Sequence, residues 1–135
     1  HQFPDRARLI VFDSPIRYAL RKLPGRKILF SNGPAQYVNA VLELTRLKRC
    51  FDAVYSVEHL NYQPKPSIQA FRRLLRAERL DPRRCILVED SLANLVTAKR
   101  LGMATVWVSA DYRKPAYVDL SIRSVAQLPY CRGRL

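Results

Sequence analysis

The sequence predicts an α/β protein with a parallel sheet, on three observations. Short β-like runs alternate with helix-like segments along the chain, the pattern of repeated β-α units. One of these runs, Cys85 to Glu89 (CILVE), is apolar almost throughout, as expected of a strand covered on both faces. Three polar clusters fall at or near the ends of such runs, and in open α/β sheets ligands bind at the carboxyl ends of strands.

The elements follow in order. Leu9 to Phe12 reads as a strand, and Ser14-Pro15 starts a helix running to about Leu23. Lys27 to Phe30 (KILF) is a strand bounded by Pro24-Gly25 and Ser31-Asn32-Gly33. Ala35 to Leu47 is a helix whose apolar face carries Val38, Val41, Leu42 and Leu44. Phe51 to Tyr55 is a short strand. Pro66 to Leu80 is the clearest helix, with Pro66 suited to its first position and Ile68, Phe71, Leu74 and Leu75 as its buried stripe.

Asp81-Pro82 then turns the chain into the strand Cys85 to Glu89. Ser91 can cap the helix Leu92 to Leu101, and Gly102 ends it. Ala104 to Val108 (ATVWV) is the next strand, and Ser109 to Tyr117 a loop. Val118 to Ile122 reads as a last edge strand, followed by a short helix around Ser124 to Leu128.

A chain of 135 residues suits one domain, 1–135, with a core large enough to need no disulfide or metal staple. Hydrophobic residues make up 48%, which excludes a disordered chain. The apolar runs are too short to span a bilayer, and no membrane association is expected. The start, His1-Gln2-Phe3-Pro4-Asp5, has no apolar signal segment. Cys50, Cys85 and Cys131 lie outside CxxC or Cys/His spacing, so they read as reduced thiols of an intracellular, cytoplasmic protein rather than zinc ligands. The net charge of +13 would attract polyanions. Arg72, Arg76, Arg79 and Arg83 recur at helical spacing, reading as a solvated basic face or, in second place, a nucleic-acid surface.

Each polar cluster admits a chemical reading beside a plain one. Ser31-Asn32-Gly33 offers a hydroxyl and backbone N–H groups to a phosphate, and is also an ordinary turn. In Gln63-Pro64-Lys65-Pro66 two prolines stiffen the backbone around one lysine, which can aim its ammonium at an anion or stand in solvent. Glu89-Asp90 places adjacent carboxylates at the end of a buried strand, where a hard cation such as Mg²⁺ would relieve their repulsion. The alternative there is Asp90 as a helix cap with Glu89 in solvent. Asn94, one turn beyond Asp90, could point back to the same place. A hydroxyl, a cation and a carboxylate pair on successive strand ends suit phosphoryl transfer, which is mostly positioning and charge neutralisation.

These clusters, in this order, resemble the motifs of the haloacid dehalogenase-type (HAD) hydrolase superfamily. Ile28-Leu29-Phe30-Ser31-Asn32-Gly33 resembles its second motif, Pro64-Lys65-Pro66 its third, and Ile86 to Ser91 with Asn94 its fourth. Ala98, Leu101-Gly102-Met103 and Trp107 continue in the manner of the pyrimidine 5′-nucleotidase-like branch. The resemblance implies a three-layer Rossmann-like core with the cap domain largely absent from this chain. It also implies a Mg²⁺-dependent phosphomonoester hydrolase, with a nucleoside 5′-monophosphate as substrate. Ser31 and Lys65 would act on the phosphoryl group, with Asn32 and Gly33 in the same loop. Asp90, with Glu89, would hold Mg²⁺, supported by Asn94.

The family's first motif, Asp-x-Asp at the end of the central strand, has one candidate here, Asp13, with Pro15 where the second carboxylate should stand. Compared with the family, Asp13 to Leu23 looks more like the helix returning from the cap to the core. The expectation is therefore a chain lacking the first-motif strand and most of the cap. Such a chain would expose unpaired sheet edges and could self-associate. An inactive relative, and Asp13 working in a reduced site, are the other two explanations. Outside the hydrolase class, the alternative is a non-catalytic module that uses its arginines to bind nucleic acid or an acidic partner.

Overall fold

The computed structural model describes residues 9–12, 23, 25–131 and 135. Asp13 and the helix expected from Ser14 lie outside the described residues. Six strands form one sheet: β1 (Leu9–Phe12), β2 (Arg26–Phe30), β3 (Ala53–Tyr55), β4 (Cys85–Glu89), β5 (Ala104–Val108) and β6 (Leu120–Ile122). Their order across the sheet is β3-β2-β1-β4-β5-β6, and every pairing is parallel. The direction of strand succession reverses between β1 and β4, which makes the crevice at their carboxyl ends the topological switch point. A strand was expected to be missing from the centre of the sheet; Leu9–Phe12 occupies that place, paired with β2 on one side and β4 on the other.

Helices α1 (Ala35–Thr45), α2 (Ile68–Glu78), α3 (Leu92–Arg100) and α4 (Leu128–Cys131) cover the sheet. Side chains alternate strictly along β2 and β4. Leu29, Ile86 and Val88 join Val38 and Leu42 of α1 in one core layer. Ile28, Phe30, Cys85 and Leu87 join Phe71, Leu74, Leu95 and Ala98 of α2 and α3 in the other. Coverage of both faces is why CILVE contains no polar residue until its last position. The rings of Phe30 and Phe71 meet edge to face, centroids 5.2 Å apart, an arrangement worth about 0.5–1.5 kcal/mol beyond area burial.

Several expected boundaries shift for physical reasons. Helix α2 starts at Ile68, not Pro66, because the Ser67 hydroxyl accepts from the Gln69 amide and caps it. Ile68 is partly exposed, and Ala70 takes its place in the buried stripe. On α1 only Val38 and Leu42 reach the core, while Leu44 is exposed. The strand expected from Phe51 begins at Ala53, and the edge strand expected from Val118 begins at Leu120. Gly102 has φ +97, the left-handed conformation that closes a helix. The arginines do not make one continuous face. Helix α2 ends at Glu78, Arg79 takes a left-handed backbone, and the Arg83 guanidinium is bound by the Asp81 carboxylate. Among the described residues no helix is long and apolar enough to cross a membrane.

Candidate active site at the switch point

Lys65 is the centre of the site. It lies in the stiff Pro64-Lys65-Pro66 segment just before α2, on the sheet face that α2 and α3 cover. Its side chain is buried, and its ammonium donates to the Phe30 carbonyl at 2.7 Å and to Glu89 Oε1 at 3.0 Å. The same nitrogen stands 4.7 Å from the Phe30 ring centroid, a cation–π distance. These contacts join the carboxyl ends of β2 and β4, the neighbours of β1 on either side.

The backbone of Lys65 is held as firmly as its head. Asn32 Oδ1 accepts from the Lys65 amide at 2.8 Å, and Asn32 Nδ2 donates to the Lys65 carbonyl at 3.0 Å. One residue on, the Pro66 carbonyl accepts from Thr97 Oγ1 at 2.7 Å, tying the segment to α3. Asn32 was expected to serve phosphate as part of the loop of backbone N–H groups after β2; its side-chain amide has a further role, positioning Lys65.

Glu89 corrects a larger expectation. Strand alternation sends its side chain to the α2–α3 face with Cys85 and Leu87. There its carboxylate accepts from Lys65 Nζ, from Asn94 Nδ2 at 2.9 Å, and from the Asp90 and Ser91 amides at 3.1 and 3.0 Å. Four donors fill the acceptor capacity of a carboxylate. The charge expected to call for a cation is thus compensated by Lys65, and Glu89 leaves no lone pair for a metal. The Ser91 hydroxyl, expected to cap α3, makes no cap bond; Glu89 accepts from the Ser91 amide just before the helix. Asn94 does point back to the site, as expected, but to Glu89 and not to Asp90.

Asp90 is exposed at the end of β4. Its carbonyl accepts from Trp107 Nε1 at 3.0 Å, across the register that pairs Glu89 with Trp107. Among the described residues no three His, Cys, Asp or Glu side chains gather into a metal-holding group. Magnesium commonly takes one or two carboxylates and completes its shell with water and phosphate oxygens. Asp90 fits that role as a single protein ligand; Glu89 does not.

Ser31 begins the loop after β2. Its hydroxyl oxygen accepts from the Gly33 amide at 2.9 Å, and its own amide donates to the Tyr55 carbonyl at 2.9 Å. The O–H of Ser31 is therefore left to donate to another partner. A Cβ on Gly33 would come within 3.2 Å of Ser31 Oγ and 3.3 Å of the Tyr37 ring, so the loop admits only glycine without moving that hydroxyl. Two of the backbone N–H groups expected to hold phosphate, those of Ser31 and Gly33, are committed within the fold. The next amide, at Ala35, donates to the Glu58 carboxylate at 2.9 Å. Hydrogen bonds from its own amide and that of Ala35 hold Glu58 below the usual carboxylate range.

The Phe30 carbonyl, Thr97 and Glu58 were not singled out from sequence, and Trp107 was noted only for its family resemblance, not for its bond to Asp90. Each acts through a contact between residues far apart in the chain, which leaves no local mark. Strand parity in β4 is the one signal that could have separated Glu89 from Asp90.

A parallel sheet with a buried lysine braced against a carboxylate beside its switch point defines an α/β protein of the Rossmann-like class. The model of the haloacid dehalogenase-like hydrolases matches residues 11–102, and the chain belongs to that family. Hexitol phosphatase B of Escherichia coli (strain K12) is 30% identical over 104 residues, 74% of this chain and 46% of that protein. A HAD phosphatase from Thermococcus onnurineus shares the fold with a TM-score of 0.73 at 27% identity, over 85% of this chain and 55% of that one. L-2-haloacid dehalogenase from Xanthobacter autotrophicus does so with a TM-score of 0.75 at 19% identity, over 84% and 58%. The chain spans about half the length, or less, of the curated relatives it matches. The relatives above carry hexitol phosphatase, HAD phosphatase and haloacid dehalogenase names, so the pyrimidine nucleotidase branch rests on the sequence resemblance alone.

Proposed function

We propose that this chain carries the phosphate-binding half of a Mg²⁺-dependent phosphomonoester hydrolase that acts on nucleoside 5′-monophosphates. The observation that carries the reading is Lys65, a buried ammonium held at the carboxyl ends of β2 and β4 by Phe30 and Glu89. A lysine has three donor protons. Two are spent on those partners, and we assign the third to a phosphoryl oxygen. Ser31 donates its O–H to a second oxygen of the same group. Both contacts neutralise charge on a phosphoryl group in flight, where most of the catalytic gain in such transfer arises.

Magnesium, when bound, would supply further neutralisation of phosphate charge, with Asp90 as its ligand from this chain. The nucleophile that the family resemblance calls for is an aspartate at the end of the central strand. Asp13 directly follows β1 in sequence, and a carboxylate from outside this chain is the other source. The nucleotide substrate rests on the branch resemblance, and the hexitol phosphatase relative makes a sugar-alcohol phosphate the competing substrate class.

The test is phosphate release from nucleoside monophosphates and hexitol phosphates with Mg²⁺. It compares this chain, its Asp13→Asn variant and a version extended upstream. Activity abolished by Asp13→Asn assigns the nucleophile to Asp13. Activity gained only on extension assigns it upstream. No release by any form ends the hydrolase reading. Asp90→Asn should weaken Mg²⁺ binding measured by calorimetry, and an unchanged affinity would remove Asp90 from the metal site.

A further inference from the structure

Tyr37 is the third residue of α1, and helical side chains lean back toward the helix amino end. Its ring therefore lies along the Ser31-Asn32-Gly33 loop. Both Tyr37 Cδ2 and Ser31 Oγ stand within 3.3 Å of the point a Gly33 Cβ would occupy. Tyr37 is 64% exposed, so it packs beside Gly33 in the loop that Ser31 begins while offering surface to solvent. Leu44, two turns further along the same helix, is more exposed still at 83%.

We infer that Tyr37 is a specificity-determining residue, its ring receiving the leaving group of the phosphate ester and favouring a nucleobase over an open-chain polyol. The inference rests on the hydrolase reading above. A phosphoryl group held by Ser31 and Lys65 must direct its alcohol away from the buried lysine, out through the loop side of the crevice. Tyr37 is an exposed aromatic side chain packed beside that loop. A nucleobase has a π-face and gains from stacking on an aromatic side chain. A hexitol carries only hydroxyls and C–H groups, and gains little there.

Binding of uridine 5′-monophosphate, a hexitol 6-phosphate and inorganic phosphate to the full chain tests this by calorimetry. The variants are Tyr37→Ala, Tyr37→Phe and, as a control on the same helix, Leu44→Ala. Tyr37→Ala should weaken the nucleotide about tenfold and leave inorganic phosphate and the hexitol phosphate unchanged. Tyr37→Phe and Leu44→Ala should behave as wild type. Unaltered nucleotide affinity in Tyr37→Ala, with phosphate still bound, overturns this inference alone. An equal loss for inorganic phosphate also overturns it, since the ring would then be supporting the loop. A wild-type chain that binds no inorganic phosphate overturns both this inference and the hydrolase reading.

Discussion

Lys65 Nζ lies 3.0 Å from Glu89 Oε1, with only 3% and 2% of the two side chains exposed. The pair closes the gap between the ends of β2 and β4, and each partner compensates a charge that the other would leave stranded. Removing one partner of a buried pair costs about 3–5 kcal/mol, whereas replacing both can be nearly neutral. Lys65→Met and Glu89→Gln should each lower unfolding free energy by about that amount, and the double variant should recover part of it. Urea denaturation of the four proteins reads the coupling. Additive losses would mean that the two side chains do not act as a pair.

Asn32 makes two hydrogen bonds to the backbone of Lys65, at about 0.5–1.5 kcal/mol each. Asn32→Ala should cost about 1–3 kcal/mol of stability and weaken inorganic phosphate binding while leaving the lysine in place. A stability loss with unchanged phosphate affinity would show that the clamp serves the fold and not the site.

Acid should release the loop after β2 through Glu58. Its carboxylate accepts from the Ala35 amide and is held below its usual pKa, first by its own backbone amide and then by that of Ala35. A carboxylate depressed in the folded state stabilises at pH above its unfolded value. That contribution is lost as pH falls through the folded one. Thermal unfolding of Glu58→Gln should therefore show less acid sensitivity below about pH 4.5 than wild type. Identical pH profiles would remove Glu58 from the loop's support.

Cysteine reactivity should divide by position. Burial pushes the Cys85 thiol up to about 12, with the Asp81 carboxylate adding to it, and its Sγ donates to the Asp81 carbonyl at 3.3 Å. Cys50 and Cys131 are only partly buried. At pH 8 a thiol reagent should modify those two in the native protein and reach Cys85 only after denaturation. Labelling of Cys85 at the native rate of Cys50 would contradict its place in the core.

The sequence by itself determined the α/β class, the limits of β4 and β5 to the residue, and the positions of Ser31, Lys65 and Asp90. Each of these rests on local chemistry: an unbroken apolar run, a proline bracket, a polar residue directly after a strand. Tertiary structure alone decided what the polar side chains do. Glu89 and Asp90 are adjacent in the chain and invited one shared role, yet the pleat of β4 sends Glu89 inward to Lys65, while Asp90, where the strand ends, is exposed. Asn32 likewise gained a bracing role for its side chain, because the Lys65 backbone lies within hydrogen-bonding reach only once α2 has packed on the sheet. Local pattern sets which residues stand at strand ends; long-range packing sets which of them are already spent on one another.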